Sequence, residues 1–444
     1  MSFDKQIFRL TIPNIISNIT VPILGLVDTA LMGHQKLDSE IYLGAIALGT
    51  TIFNMIYWSS GFLRMSTSGF TSQAYGRDSR EDMSATLQRS LIVAFIIGVV
   101  VLLLQYPILN VSLDLLNGTE RLKALTSEYF GIRVWAAPAA IMLFAFNGWF
   151  LGMQNSKYPL YIALCINVTN VALSYYFVKV LGMKSAGVAL GTLIAQYAGL
   201  LLAIILLTRK YKFVFKWFSI KKVMMLDKLV DFMRVNGDIF IRTLCIITVF
   251  TFFNSQSSAE GEVTLAANSL LLQFLMFFSF FMDGLAYAGE TLVGKYVGRG
   301  DGLSLAVVVK RLVFWSIVIT FGFTLINIFL GKDLINLLTS KESVAVREKA
   351  YSFAVWIALI PLASFMSFMW DGVYVGATKS KSMRNTLLLS TFFVFFPLYY
   401  SLRNMLGDNA LWIAMLSFFF IRGAYLALMY KRVVLKSLSA RLHR

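Results

Sequence analysis

Residues 146–157 read FNGWFLGMQNSK, and residues 370–381 read WDGVYVGATKSK. Gly148 falls on Gly372, Gly152 on Gly376, Ser156 on Ser380 and Lys157 on Lys381, all at an offset of 224. A tryptophan and a proline lead into each copy, Trp135 and Pro138 in one, Trp356 and Pro361 in the other. A second echo lies upstream of both. Gly76-Arg77 precedes Gln88-Arg89 by twelve residues, and Gly298-Arg299 precedes Lys310-Arg311 by the same twelve. Two matches at nearly one offset read as a single unit written twice.

The composition says what medium that unit lives in. Mean hydropathy is +0.71, hydrophobic residues reach 58% and charged residues only 14%, against about 25% in soluble domains. So much apolar side chain cannot be hidden inside a soluble fold, and the chain reads as a polytopic membrane protein. A span needs about 20 apolar residues. On that template twelve helices fall near 7–33, 42–72, 88–110, 124–152, 158–180, 185–207, 229–255, 263–294, 304–330, 345–376, 384–404 and 410–430. The fold class expected is therefore all-α, with twelve transmembrane helices in two six-helix lobes. An even number of spans per copy makes both lobes enter the bilayer facing the same way, a parallel repeat found among secondary transporters. The expected division is 1–207 for the first lobe, 208–228 for a basic linker, 229–432 for the second lobe and 433–444 for a basic tail.

Net charge is +17, but its placement argues for topology rather than nucleic acid. Alternate connections are basic, above all Arg209, Lys210, Lys212, Lys216, Lys221, Lys222 and Lys228, with Lys431, Arg432, Lys436, Arg441 and Arg444 at the end. Roughly 25 Lys and Arg lie on one side against roughly 10 on the other, which puts both termini in the cytoplasm. The same linker is placed to touch anionic headgroups, so membrane lipid is an expected partner. Nothing in residues 1–9 resembles a cleavable leader. Cys165 and Cys245 fall mid-span in different segments, which excludes a disulfide framework. Two histidines offer no metal site, and no phosphate loop of the G-x₄-G-K-[ST] type implies a nucleotide. No cofactor is expected.

Charges inside a span are costly and mark function or pairing. The candidates are Asp28, Glu128, Asp231, Asp238, Asp283, Glu290 and Asp371, with Arg64, Arg133, Arg234, Arg242 and Arg422. Asp28 stands in VPILGLVDTALMGH (21–34), with no Lys or Arg within a turn. Ionising a lone carboxylate in a dry span is expensive, so it takes a proton until water or a cation reaches it. Asn167, Asn170 and Ser174 recur at i, i+3 and i+7 and share one helical face. Asp238 and Arg242 stand at i, i+4, close enough to pair, with Asn236 nearby. Asp371 occupies the repeat position of Asn147 and has Arg422 as a further partner. Asp283 and Glu290 border the basic stretch 295–311, where a cytoplasmic gate or charge lattice is expected. The 38 Phe and 19 Met suit a promiscuous pocket, although most must face lipid or core.

These residues together resemble the multidrug and toxic compound extrusion (MATE) family, within its DNA-damage-inducible F branch. The carriers are Pro13, Pro22, Asp28 and Gly33 in the first helix, EYFGIRVWAAPA (128–139), NVTNVALS (167–174), AGVALGTLIAQY (186–197), NGDIFIRT (236–243), DGLAYAGETLVGK (283–295) and WDGVYVGATKSKSMRN (370–385). The resemblance implies export of amphipathic or cationic organic compounds by an antiporter driven by H⁺ or Na⁺, alternating access between two lobes. It is not an enzyme on this reading, and it sits as a monomer in the inner membrane. Asp28 matches the family's first-helix acid, which couples cation entry to drug release. Tyr129, Asn147 and Thr192 match cavity positions. Where the family often carries N-x-x-N-x-x-x-D, this chain has Ser174 in the last place, so H⁺ is favoured over Na⁺. Two alternatives stay open: a flippase for lipids or lipid-linked oligosaccharides, which would want a more basic cleft, and an integral membrane transferase, which would want a histidine or an acid pair.

Overall fold

The computed structural model describes the backbone of residues 2–33, 39–115, 119–217, 220–340 and 342–435, and the side chains of these apart from residues 21–33, 39–40, 115, 220 and 221. Every regular element within it is helical. In chain order they are α1 (Phe3–Gly33), α2 (Ser39–Ser60), α3 (Phe62–Gly76), α4 (Arg80–Leu103), α5 (Gln105–Leu115), α6 (Glu120–Arg133), α7 (Ala137–Gly152), α8 (Lys157–Tyr175), α9 (Lys184–Lys210), α10 (Phe213–Lys216), α11 (Ile220–Val223), α12 (Leu226–Ala259), α13 (Glu262–Arg299), α14 (Gly302–Leu338), α15 (Val344–Ser352), α16 (Ala354–Gly376), α17 (Ser380–Leu389), α18 (Phe396–Leu406) and α19 (Asp408–Tyr430). Several join end to end into single spans. Eleven described stretches between Ile41 and Leu435 are long and apolar enough to cross a bilayer, and α1 precedes them as the first of twelve. Helices are what lipid demands, because each satisfies its own backbone polar groups.

The written repeat is also a repeat of backbone geometry. Asp78 and Gly300 hold positive φ (54° and 75°) after the two Gly-Arg turns, and Gln154 and Thr378 do so (60° and 53°) after the two Gly-x₃-Gly motifs. Ser79 caps α4 by accepting from Asp82 N at 3.2 Å, and Asp301 caps α14 by accepting from Ser304 N at 3.0 Å. Such caps satisfy amides that a helix start leaves without partners. Proline stands in both corresponding spans, Pro138 at the start of α7 and Pro361 inside α16.

The shared spacing of the glycines follows from close helix approach. A Cβ on Gly148 would lie 3.0 Å from Arg64 C and Cα on α3, and one on Gly372 would lie 2.8 Å from Ala286 C and Cα on α13. One turn on, a Cβ on Gly152 would meet Ser68 O at 2.9 Å, and one on Gly376 would meet Gly294 N at 2.9 Å. Thus α7 rides on α3 as α16 rides on α13. Gly372→Ala should therefore destabilise the protein by about 1–3 kcal/mol, since the clash is with backbone. Gly322→Ala, where nothing lies within 4 Å, should be neutral or slightly stabilising. Thermal unfolding in detergent would check both; equal midpoints for the two variants would refute the close-packing account.

The chain forms two compact units, residues 16–233 and residues 1–15 with 234–444. Both boundaries fall within helices, α1 and α12, rather than in the linker 208–228 expected to separate the lobes. The physical reason is visible in each unit. In the first, the linker is held on α4 at two places: Ser84 Oγ donates to Val214 O at 2.8 Å, and Arg89 donates from Nε to Val223 O and from Nη2 to Lys222 O, both at 3.1 Å. In the second, Trp315 Nε1 donates to Asp4 Oδ1 at 2.9 Å, Arg311 stands 3.8 Å from Asp4, and Phe8 meets the Trp315 ring edge-on. Arg89 and Arg311 are the arginines that close the two copies of the second sequence echo. Residues 433–435 continue a π-helical turn beyond α19, and the rest of the basic tail lies outside the described residues.

Candidate functional site

In the first unit, the polar face predicted on α8 meets α9. Asn170 Nδ2 donates to Thr192 Oγ1 at 2.8 Å, and Thr192 Oγ1 donates to Val188 O at 2.9 Å. Asn170 and Ser174 are buried, at 1% and 0% exposure. Asn170 Oδ1, Ser174 Oγ and, on α7, Asn147 Oδ1 are shielded from solvent and make no hydrogen bond among the described residues. Unsatisfied buried acceptors cost free energy and call for an explanation such as water, an ion or a ligand. Asn167 turns to the first helix, its Nδ2 donating to Thr20 O at 3.4 Å. Thr20 lies two turns before Asp28, and the side chain of Asp28 itself lies outside the described residues.

Tyr129 is buried on α6, and its hydroxyl accepts from Arg133 Nη1 at 2.6 Å. The same Nη1 donates to Thr50 Oγ1 at 3.0 Å, and the guanidinium sits 4.7 Å over the Phe53 ring. Sequence reading names Tyr129 and Arg133 separately. Their i, i+4 spacing on one helix is the signal that joins them.

The second unit holds a charge network arranged differently from the expectation. Asp238 does not pair with Arg242 one turn away. It accepts from Arg384 Nη1 at 2.6 Å and from Ser380 Oγ at 2.8 Å, both on α17. Arg242 instead binds Asp371 on α16, and Arg422 on α19 binds the same carboxylate oxygen. The Asp371–Arg422 partnership is as the sequence allowed. Side chains in this triad are 11%, 8% and 3% exposed for Arg242, Asp371 and Arg422. Buried charges survive only when paired, and here tertiary packing supplies each charge with a partner from another helix rather than from its own. Asp283 is half-buried and close enough for its charge to act on Arg422. Asn236 and Glu290 are both buried. Arg384 was not singled out in the sequence, although it stands inside the motif 370–385.

At one end of this unit, Lys349 on α15 pairs with Asp408 at the start of α19, and Glu260 in the α12–α13 loop shares the site. Desolvation first, then the carboxylate of Asp408, pushes Glu260 up from 4.5 to about 7, against the pull of Lys349. A carboxyl raised in the folded state contributes stability that is fully present below about pH 4.5 and lost as pH climbs through about 7. Thermal midpoints measured from pH 4.5 to 8 should fall across that window in the wild type and flatten in Glu260→Gln. Parallel curves would show that this carboxyl is not the titrating group.

Comparison with known proteins agrees with this architecture. The MatE family model matches twice, over residues 13–176 and 239–401. DNA damage-inducible protein F of Escherichia coli is 32% identical over 431 residues, covering 97% of this chain and 93% of that protein. A probable multidrug resistance protein NorM of Photorhabdus laumondii is 21% identical over 349 residues, 77% of this chain and 75% of its own. The crystal structure of the Vibrio cholerae MATE transporter VcmN in the bent form superposes with a TM-score of 0.85 at 19% identity, covering 99% of this chain and 98% of its own. Two family matches laid over the two halves, on a twelve-helix membrane fold, leave one conclusion: this chain belongs to the MatE family of membrane transporters.

Proposed function

We propose that the protein is an H⁺-coupled antiporter that exports amphipathic or cationic organic compounds across the inner membrane by alternating access, with both termini cytoplasmic. The observation that carries this reading is the pairing of the second unit's acids. Asp238 and Asp371 already have guanidinium counter-charges, so neither stands ready for a transported cation. In the first unit, Ser174 replaces the second acid of the relatives' motif, and the buried acceptors on α7 and α8 offer neutral oxygens only. Asp28, with no Lys or Arg within a turn of it in the sequence, is the group on which a proton is taken and given back, and a site with one acid where the relatives' motif has two suits H⁺ better than Na⁺. Each conformational state offers that carboxyl a different environment, and this difference is what links protonation to substrate release.

The test is uptake of a fluorescent organic cation into inverted vesicles containing the protein, with the H⁺ and Na⁺ gradients collapsed separately. Loss of transport on collapsing the H⁺ gradient, with none on collapsing Na⁺, is expected. Transport that survives without either gradient would overturn antiport and favour a flippase.

A further inference from the structure

We infer that Arg133 is an anion-recognising residue of the substrate site, so that preferred substrates are amphipathic solutes carrying a carboxylate, sulfonate or phosphate. This rests on the reading above, in which the protein exports amphipathic organic compounds. Arg133 stands in the span Glu120–Gly152, about 20 Å along the helix from its start at 1.5 Å per residue. Among the described residues no carboxylate reaches it. The arginines of the second unit show the usual solution to a guanidinium within or beside a span: Arg242 and Arg422 share Asp371, and Arg384 holds Asp238, whereas Arg133 is half-buried with no acid among the described residues. Arg133 has two hydroxyls, Thr50 Oγ1 and Tyr129 Oη, and the ring faces of Phe53 and Tyr129 at 4.7 and 5.5 Å. These partly offset the cost of the charge without neutralising it.

The geometry of the donors narrows the ligand. Both hydroxyl contacts fall on Nη1. Nε is buried and makes no hydrogen bond among the described residues. The Nε–Nη2 edge of a guanidinium presents two parallel N–H groups that match the two oxygens of a carboxylate or phosphate. Here that edge is left over while the opposite side is fixed, which holds the fork in one orientation. The surroundings are aromatic: Phe53 stacks on Tyr57 and Phe130, with centroids 5.9 and 5.1 Å apart. Nε is closed to solvent in this state, so an oxyanion reaches it when these rings part. A flat apolar body against the rings and one oxyanion on the fork describe an amphipathic anion or zwitterion.

Rhodamine B and its ethyl ester differ only in the free carboxylate, and their binding to the purified full-length protein can be followed by fluorescence polarisation. A charge-assisted hydrogen-bonded contact of about 1.5–3 kcal/mol corresponds to roughly tenfold or tighter binding of the acid. Arg133→Gln should bring the ratio of the two affinities, measured within that variant, to about one, and Arg133→Lys, which keeps the charge but not the fork, should fall between. Equal affinities in the wild type, or a preference that persists in Arg133→Gln, would overturn the inference while leaving export standing. Failure of the wild type to transport either dye would instead sink the export reading, and this inference with it. Displacement of the acid by phosphatidylglycerol in the wild type but not in Arg133→Gln would reassign the fork to a lipid phosphate.

Discussion

Asp28→Asn is expected to reduce proton-driven export to the level of protein-free vesicles, while the variant still inserts and elutes as a folded protein. Asparagine keeps the size of the side chain and most of its hydrogen bonding, but it cannot exchange a proton. The driving force is delivered only through a titrating group, at about 1.4 kcal/mol per proton for each pH unit and about 2.3 kcal/mol per charge for each 100 mV. Without it the two conformations can still interconvert around the substrate. Exchange of labelled for unlabelled substrate at equal concentrations should therefore persist in the variant while concentrative transport is lost. The second-unit variant Asp238→Asn should show no such split, because Asp238 is held by Arg384 and Ser380. A wild-type rate of uphill export in Asp28→Asn would remove this carboxyl from the coupling mechanism.

What the sequence discloses and what it withholds have physical causes. Lipid makes the spans legible, because no other solvent allows such long apolar helices. Close approach makes the repeat legible: Gly148 and Gly372 recur because a methyl group at either place meets backbone of the neighbouring helix. The face of Asn167, Asn170 and Ser174 is readable from helical spacing and Thr192 only from motif likeness, and a 2.8 Å bond joins Asn170 to Thr192. The partner of Asp238 was not readable. Local spacing nominates Arg242, yet tertiary packing brings α17 against α12 and supplies Arg384 from far along the chain. Both unit boundaries escaped for a similar reason. A change of composition at 208–228 marks a basic connection, but Ser84 and Arg89 tie that connection to α4 at Val214 and at Lys222 and Val223, and contacts rather than composition decide which unit a segment joins.

Asp371→Leu should cost about 3–5 kcal/mol of stability, the usual penalty for removing one partner of a buried ion pair. The reason is asymmetry. Arg242 and Arg422 converge on one oxygen of Asp371, and Arg422 is 3% exposed. Removing the carboxylate leaves two guanidinium groups repelling each other in a dry interior, with Asp283 as the remaining negative charge acting on Arg422. Neither guanidinium can shed its proton as a lysine would. Replacing all three charges together, with Asp371→Leu, Arg242→Met and Arg422→Met, should recover most of the lost stability, because well-packed apolar groups are often as good as a buried pair. Thermal unfolding of the single and triple variants in the same detergent separates the two contributions. If the triple variant is stable but no longer exports dye, the triad serves the transport cycle rather than the fold. If Asp371→Leu alone unfolds at the wild-type temperature, the triad does not hold the second unit together.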